Sequence, residues 1–137
     1  MNLTVFTLMI NAGLCVLIWI VQLVVYPSFC HYSEAEIKYW HPIYTVQITY
    51  IVLPLMLSQL GAYIYMATRT TSWQIFLVLA LVVSTWLVTF LISVPLHSAI
   101  DQQADSMLPR EKLIQTNWIR TILWTLILIL SIVFYKK

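Results

Sequence analysis

The chain has 137 residues, of which 61% are apolar and only 9% charged, with a formal net charge of +2. A soluble domain carries about 25% charged residues, so this composition excludes a water-soluble globule and makes lipid the solvent for most of the surface. The positive balance is too small and too dispersed to suggest a nucleic-acid partner.

Four apolar runs follow in chain order, roughly Leu3–Tyr26, Ile43–Met66, Trp73–Val94 and Leu113–Tyr135. Each reaches the ~20 residues needed to cross a hydrocarbon core. The runs are continuous rather than alternating, and a chain of this size cannot close a membrane barrel, so they predict helices. The expected fold is all-α: a single domain over 1–137, a polytopic bundle of four transmembrane helices arranged as two helical hairpins.

The first run lacks a basic leader and is too long for a cleaved signal, so it is expected to be retained. Cys15 lies inside it and Cys30 just beyond, ~22 Å apart on a helix. That is beyond disulfide reach and predicts two unpaired thiols. Pro27, Pro42 and Pro95 stand at run ends, where a missing N–H costs least. Pro54 lies inside the second run and predicts a kink.

Segments 27–42 and 95–112 read as long connections on one side of the membrane, and segment 67–72 as a tight turn on the other. Glu34, Glu36, Asp101, Asp105, Glu111 and all three histidines then share the long-connection side. Arg69, Lys136 and Lys137 share the opposite side with both termini. The positive-inside rule counts only Lys and Arg, and with Lys38, Arg110 and Lys112 on the long-connection side the two sides are nearly tied; the acid-free terminal side is taken as cytoplasmic, in a multi-pass protein of the cell membrane. Tyr26, Tyr39, Trp40 and Trp118 mark one interface and Tyr63, Tyr65, Trp73 and Tyr135 the other. Trp19, Trp86 and Trp124 fall near mid-membrane, where packing or lipid contact accounts for them.

A short repeat links the halves. Val25-Tyr26-Pro27 ends the first run and Val94-Pro95 the third; Tyr39-Trp40-His41 opens the second and Asn117-Trp118-Ile119-Arg120 the fourth.

Arg120 is the most informative residue, because it lies about two turns inside an apolar run and cannot lose its charge. Such an arginine costs several kcal/mol unless it snorkels or is paired. Asp101 and Glu34 or Glu36 are the acids available to it, and an anion or carbonyl of a ligand is the alternative partner. Asn117, Arg120, Thr121, Trp124 and Leu128 share one face of the fourth helix. Thr85, Thr89, Ser93 and His97 follow a four-residue spacing on the third. Asn11, Cys15, Gln22 and Tyr26 fall near one stripe of the first, and His41, Tyr44 and Thr45 share a face of the second. Small and polar residues face bundle interiors. Turning all four stripes inward gives a pocket that is polar near the long-connection surface and more apolar below.

The candidate site is therefore His97 and His41 as catalytic bases, with Arg120, Asn117, Tyr44, Asp101 and Gln22 binding a ligand. His97, His41 and Asp101 also form a candidate transition-metal set, since imidazole plus carboxylate suits zinc, copper or iron. A haem at the outer mouth, between His41 and His97, stays open as well. There is no mid-membrane lysine for a Schiff base, no Gly-rich phosphate loop, and too little helix charge for a voltage sensor.

The segments Ser93-Val94-Pro95-Leu96-His97-Ser98 and Thr116-Asn117-Trp118-Ile119-Arg120-Thr121 resemble the anthrone-oxygenase-like family of small four-helix membrane proteins. In that family an N-V-P-L-N-N-like segment ends the third helix and a W-N-x-x-R-T-like segment opens the fourth. Val25-Tyr26-Pro27-Ser28-Phe29 looks like the family's first-helix exit. His97 and Ser98 stand where the family often has asparagines. The resemblance implies a four-helix fold, oxidation of a polyketide anthrone as its fungal members perform, and attention to Pro95, His97, Asn117 and Arg120.

Three readings result. The first is an oxidoreductase, or redox-linked protein, acting on a lipophilic aromatic or quinone-like compound. The second is a non-enzymatic membrane subunit, or a lipid- or metal-binding accessory of a larger complex. The third is a minimal transporter working as a homo-oligomer.

Overall fold

The computed structural model describes residues 2–135, which form four helices joined by short connections. They are α1 (Leu3–Phe29), α2 (Glu34–Arg69) and α3 (Trp73–Gln102), followed by α4 (Met107–Tyr135). All four are long and apolar enough to cross a membrane, which makes the chain a multi-pass membrane protein. α1 and α3 each pack against both α2 and α4, so the helices run round the bundle in chain order. Lys136 and Lys137, two of the three basic residues assigned to the terminal side, lie outside the described residues.

The outer surface is apolar. Met9, Val16, Val24, Tyr50 and Leu91 are all exposed, in keeping with helices surrounded by hydrocarbon rather than water. The interior holds the small and polar stripes: Thr7, Asn11, Gln22, His41, Gln59, Thr85, Ser93, Asn117 and Thr121 are buried. A bundle in lipid gains nothing by turning leucine inward, so polar and small residues, which can hydrogen-bond or pack closely, take the inside.

The two long connections expected at 27–42 and 95–112 are not loops. Between the described ends the chain breaks helix only at 30–33 and 103–106 on that side, and at 70–72 on the other. α2 starts before Pro42, because Ser33 and Glu36 form a capping box: the Ser33 backbone N–H donates to Glu36 Oε2 at 2.8 Å, and the Glu36 N–H donates to Ser33 Oγ at 3.3 Å. That box satisfies two orphan donors and fixes the start. Pro42 and Pro54 both lie inside the helix.

Pro27 and Pro95 are carried within helices by a different device. Each follows a five-residue π turn, Val21–Val25 and Thr89–Ser93. The Tyr26 N–H donates to the Val21 carbonyl and the Val94 N–H to the Thr89 carbonyl. Proline lacks an N–H and presses on the carbonyl four residues back, and the wider turn relieves that pressure. The sequence repeat at these prolines is thus a structural repeat, one π turn in the first helix of each hairpin. On α3 it also matters for register. A four-residue spacing drifts by about 40° per step on an α-helix, and the π turn winds the drift back, which keeps Thr85, Thr89, Ser93 and His97 near one face.

Candidate functional site

A cavity of about 540 Å³ lies inside the bundle on the 30–33 side, walled by all four helices. Its deeper wall is apolar, with Leu14, Ile18, Met56, Trp86 and Trp124, and its mouth carries Tyr26, Tyr44, His97, Ser98, Asp101 and Arg120. This volume falls within the range of small-molecule sites.

The polar groups at the mouth form one continuous chain. His41 Nδ1 lies 2.6 Å from Asp101 Oδ1, His41 Nε2 lies 2.8 Å from His97 Nδ1, and His97 Nε2 lies 3.0 Å from the Tyr26 hydroxyl. A carboxylate only accepts, so His41 Nδ1–H donates to it. A neutral His41 then accepts at Nε2, so His97 Nδ1–H donates. His97 in turn accepts at Nε2 from the Tyr26 O–H. Every donor in this chain points toward Asp101. Phe29, which is buried, stands edge-on to both His41 and Tyr44 and holds the His41 ring in place.

From Tyr26 the chain continues to α4. Arg120 Nη2 donates to the Tyr26 oxygen at 3.0 Å and to Asn117 Oδ1 at 2.6 Å, and Arg120 Nε donates to the same Asn117 oxygen at 2.9 Å. Asn117 Nδ2 donates to Gln22 Oε1 at 2.9 Å, and Gln22 Nε2 donates to the Ile114 carbonyl at 3.2 Å. Asn117 and Gln22, expected to touch a ligand, instead stand behind the cavity wall and aim Arg120. His41 also stands behind the wall, sandwiched between its two neighbours.

Arg120 is 7% exposed and has no carboxylate partner among the described residues. The acids expected to pair with it are engaged elsewhere. Glu34 binds Arg110 Nη2 at 2.6 Å, Glu36 binds Ser33, and Asp101 binds His41. The reason is helix extension: α2 and α4 begin well before their apolar runs and carry Glu34 and Arg110 together above the membrane core. Arg120 Nη1, with two N–H groups, has a single acceptor, Thr89 Oγ1 at 3.4 Å. Trp86 lines the same cavity, and its indole nitrogen is the buried side-chain donor left without a partner among the described residues.

The metal reading is not what the geometry gives. His97, His41 and Asp101 do come together, but in a line, with His41 in the middle and both its nitrogens taken. Among the described residues no group of three or more His, Cys, Asp and Glu converges on a point that could hold a metal ion. The same pairing brings the two imidazoles within 2.8 Å of each other, which leaves no room for a haem iron between them.

Two further polar clusters lay outside the expected site. Arg110, which is buried, donates to the Phe29 and Tyr32 carbonyls at 3.1 and 2.8 Å and to Ser106 Oγ at 2.8 Å, and so ties both connections of this side together. Deep toward the other side, Gln59 Nε2 donates to Asn11 Oδ1 at 2.8 Å, and Asn11 Nδ2 donates to the Tyr63 and Ser131 hydroxyls, both at 2.9 Å. Trp124 Nε1 closes that cluster on Gln59 Oε1 at 3.3 Å. Gln59 was the available signal, an amide in the middle of an apolar run. Cys15 and Cys30 are both unpaired, and burial pushes the Cys30 thiol above its ordinary value, against the pull of Arg110.

Comparison with protein-family models, curated proteins and solved structures finds no match to this chain. The likeness to anthrone-oxygenase-like proteins therefore rests on its two short motifs.

Proposed function

We propose that this protein resides in the cell membrane with both termini in the cytoplasm and binds a lipophilic aromatic or quinone-like compound in the bundle cavity. The observation that carries the reading is Arg120: a buried guanidinium at the polar end of an apolar cavity, with only neutral partners among the described residues and an open Nη1 edge. Removing a charge from water without a counter-charge costs several kcal/mol, and a ligand oxygen at Nη1 offsets part of that cost. The apolar depth supports a ring system, and Trp86 supplies a second donor for a ligand acceptor. His97 stands at the wall as the base, with His41 behind it and Asp101 at the mouth. The oxidoreductase reading adds to this the oxidation of the bound ring, and it rests on the family resemblance.

The test is titration of the purified protein in nanodiscs with quinones and hydroxyaromatics, followed by tryptophan fluorescence. Arg120→Ala is expected to weaken binding by about 10–100-fold, the worth of a charge-assisted hydrogen bond. Isotherms unchanged in Arg120→Ala protein that still elutes as a folded species would reject the reading. A reporter fused after Lys137 that is active only outside the cell would reverse the orientation.

A further inference from the structure

The chain from the cavity to the outside has a single direction. Arg120 Nη2 donates to Tyr26, Tyr26 to His97, His97 to His41, and His41 to Asp101. Tyr26 and His97 line the cavity wall, and Asp101 at the far end of the chain stands at the cavity mouth, with its side chain 33% exposed. The titratable or charged groups meeting here come from all four helices: Tyr26 on α1, His41 and Tyr44 on α2, His97 and Asp101 on α3, Arg120 on α4. Arg120 is the cationic member facing the cavity, and it lacks a counter-ion among the described residues. The Tyr26 oxygen accepts from Arg120 and donates its own proton, leaving a lone pair free.

Resting on the binding reading above, we propose that the ligand enters as an acid, a lipophilic aromatic with an ionisable hydroxyl, and is held as its oxygen anion on Arg120, while the hydroxyl proton leaves along Tyr26, His97, His41 and Asp101. The ligand O–H bond breaks and the oxygen keeps both electrons. Its proton goes to the Tyr26 oxygen, the Tyr26 proton to His97 Nε2, the His97 Nδ1 proton to His41 Nε2, and the His41 Nδ1 proton to Asp101, which passes it to water. No electron is transferred and no co-reactant is needed. The cavity gains one negative charge against Arg120 and the outside gains one proton. Trp86 N–H, otherwise without a partner, is available to a second ligand acceptor. The aromatic class is favoured by the wall, where the rings of Trp86 and Phe90 stack with centroids 5.7 Å apart.

The experiment is calorimetric titration of the full chain in nanodiscs with 1-naphthol, 1-methoxynaphthalene and a fatty acid, in two buffers of different ionisation enthalpy. The naphthol is expected to bind with release of about one proton, and the methyl ether about 10–100-fold more weakly with none. Stopped-flow mixing with a pH dye then reads the relay. Asp101→Asn still accepts from His41 but cannot take up a proton, and it is expected to slow proton release by about tenfold or more, with Asp101→Glu restoring it. Binding of naphthol without proton release leaves the cavity reading standing and overturns the anion. Release that Asp101→Asn does not slow overturns the relay, and tighter binding of the fatty acid overturns the aromatic class. Failure of both naphthalenes and the fatty acid to bind overturns the cavity reading itself.

Discussion

Arg120 Nη2 donates to the Tyr26 hydroxyl at 3.0 Å, and this contact joins the arginine of α4 to the histidine chain of α2 and α3. Without it the guanidinium–amide group and the imidazole–carboxylate group would be separate clusters. Tyr26 is 3% exposed and sits directly after a π turn, so its hydroxyl has little freedom to choose other partners.

The polarity of that chain makes a spectroscopic prediction. Both His41 and His97 should carry their proton on Nδ1 in the ligand-free protein, as the Asp101 carboxylate dictates. Nitrogen-15 spectra of labelled histidine in nanodiscs read this directly. Tyr26→Phe, which removes the donor to His97 Nε2 and one acceptor of Arg120, should shift the His97 signals and lower stability by about 1–3 kcal/mol. Two Nε2-protonated rings in the wild type would refute the assigned direction.

Arg110 should matter more to folding than to binding. It is buried, it is the partner of Glu34, and it spans the last carbonyl of α1, the Tyr32 carbonyl of the first connection and Ser106 of the third. Arg110→Met should cost about 2–4 kcal/mol, short of a fully buried pair because Glu34 remains partly in water. Protease cleavage at 30–33 or 103–106 should rise. Ligand affinity of the surviving folded fraction should stay within about threefold, as Arg110 lies outside the cavity wall.

The deep amide cluster should be a stability element. Asn11→Leu leaves Gln59 Nε2 and the Tyr63 hydroxyl each short of a partner, and is expected to cost about 1–3 kcal/mol. Individual hydrogen bonds between membrane helices average about 0.6 kcal/mol, and two or three are lost together. Reversible unfolding in mixed micelles measures it, and a neutral result would show that Gln59 and Ser131 repair the gap by themselves.

Trp86→Phe separates ligand binding from packing. It deletes a buried N–H without a partner, so the ligand-free protein should be unchanged or more stable by up to about 1 kcal/mol. If the indole serves a ligand acceptor, affinity should fall by about tenfold in the same variant. A fall in both would mean that the ring packs and does not bind.

Much of the bundle could be read from residues alone. Low charge and four long apolar runs dictate membrane helices, because a spanning backbone must satisfy its own hydrogen bonds. Spacing placed Gln22 and Tyr26, His41 and Tyr44, Thr85 and Ser93, and Asn117 and Arg120 on inward stripes, and the structure buries each of them. Helix ends were less legible. Proline at 27, 42 and 95 reads as an end, yet π turns and the Ser33 capping box carry helix across or ahead of it.

Sequence by itself determined the span count and the inward faces, because these depend on composition and on a period local to each helix. Only the tertiary structure decided who pairs with whom: Glu34 with Arg110, Asp101 with His41, and Arg120 with no acid among the described residues. Pairing depends on the relative height of two helices, which shifts with every residue added before an apolar run, and no local pattern records it.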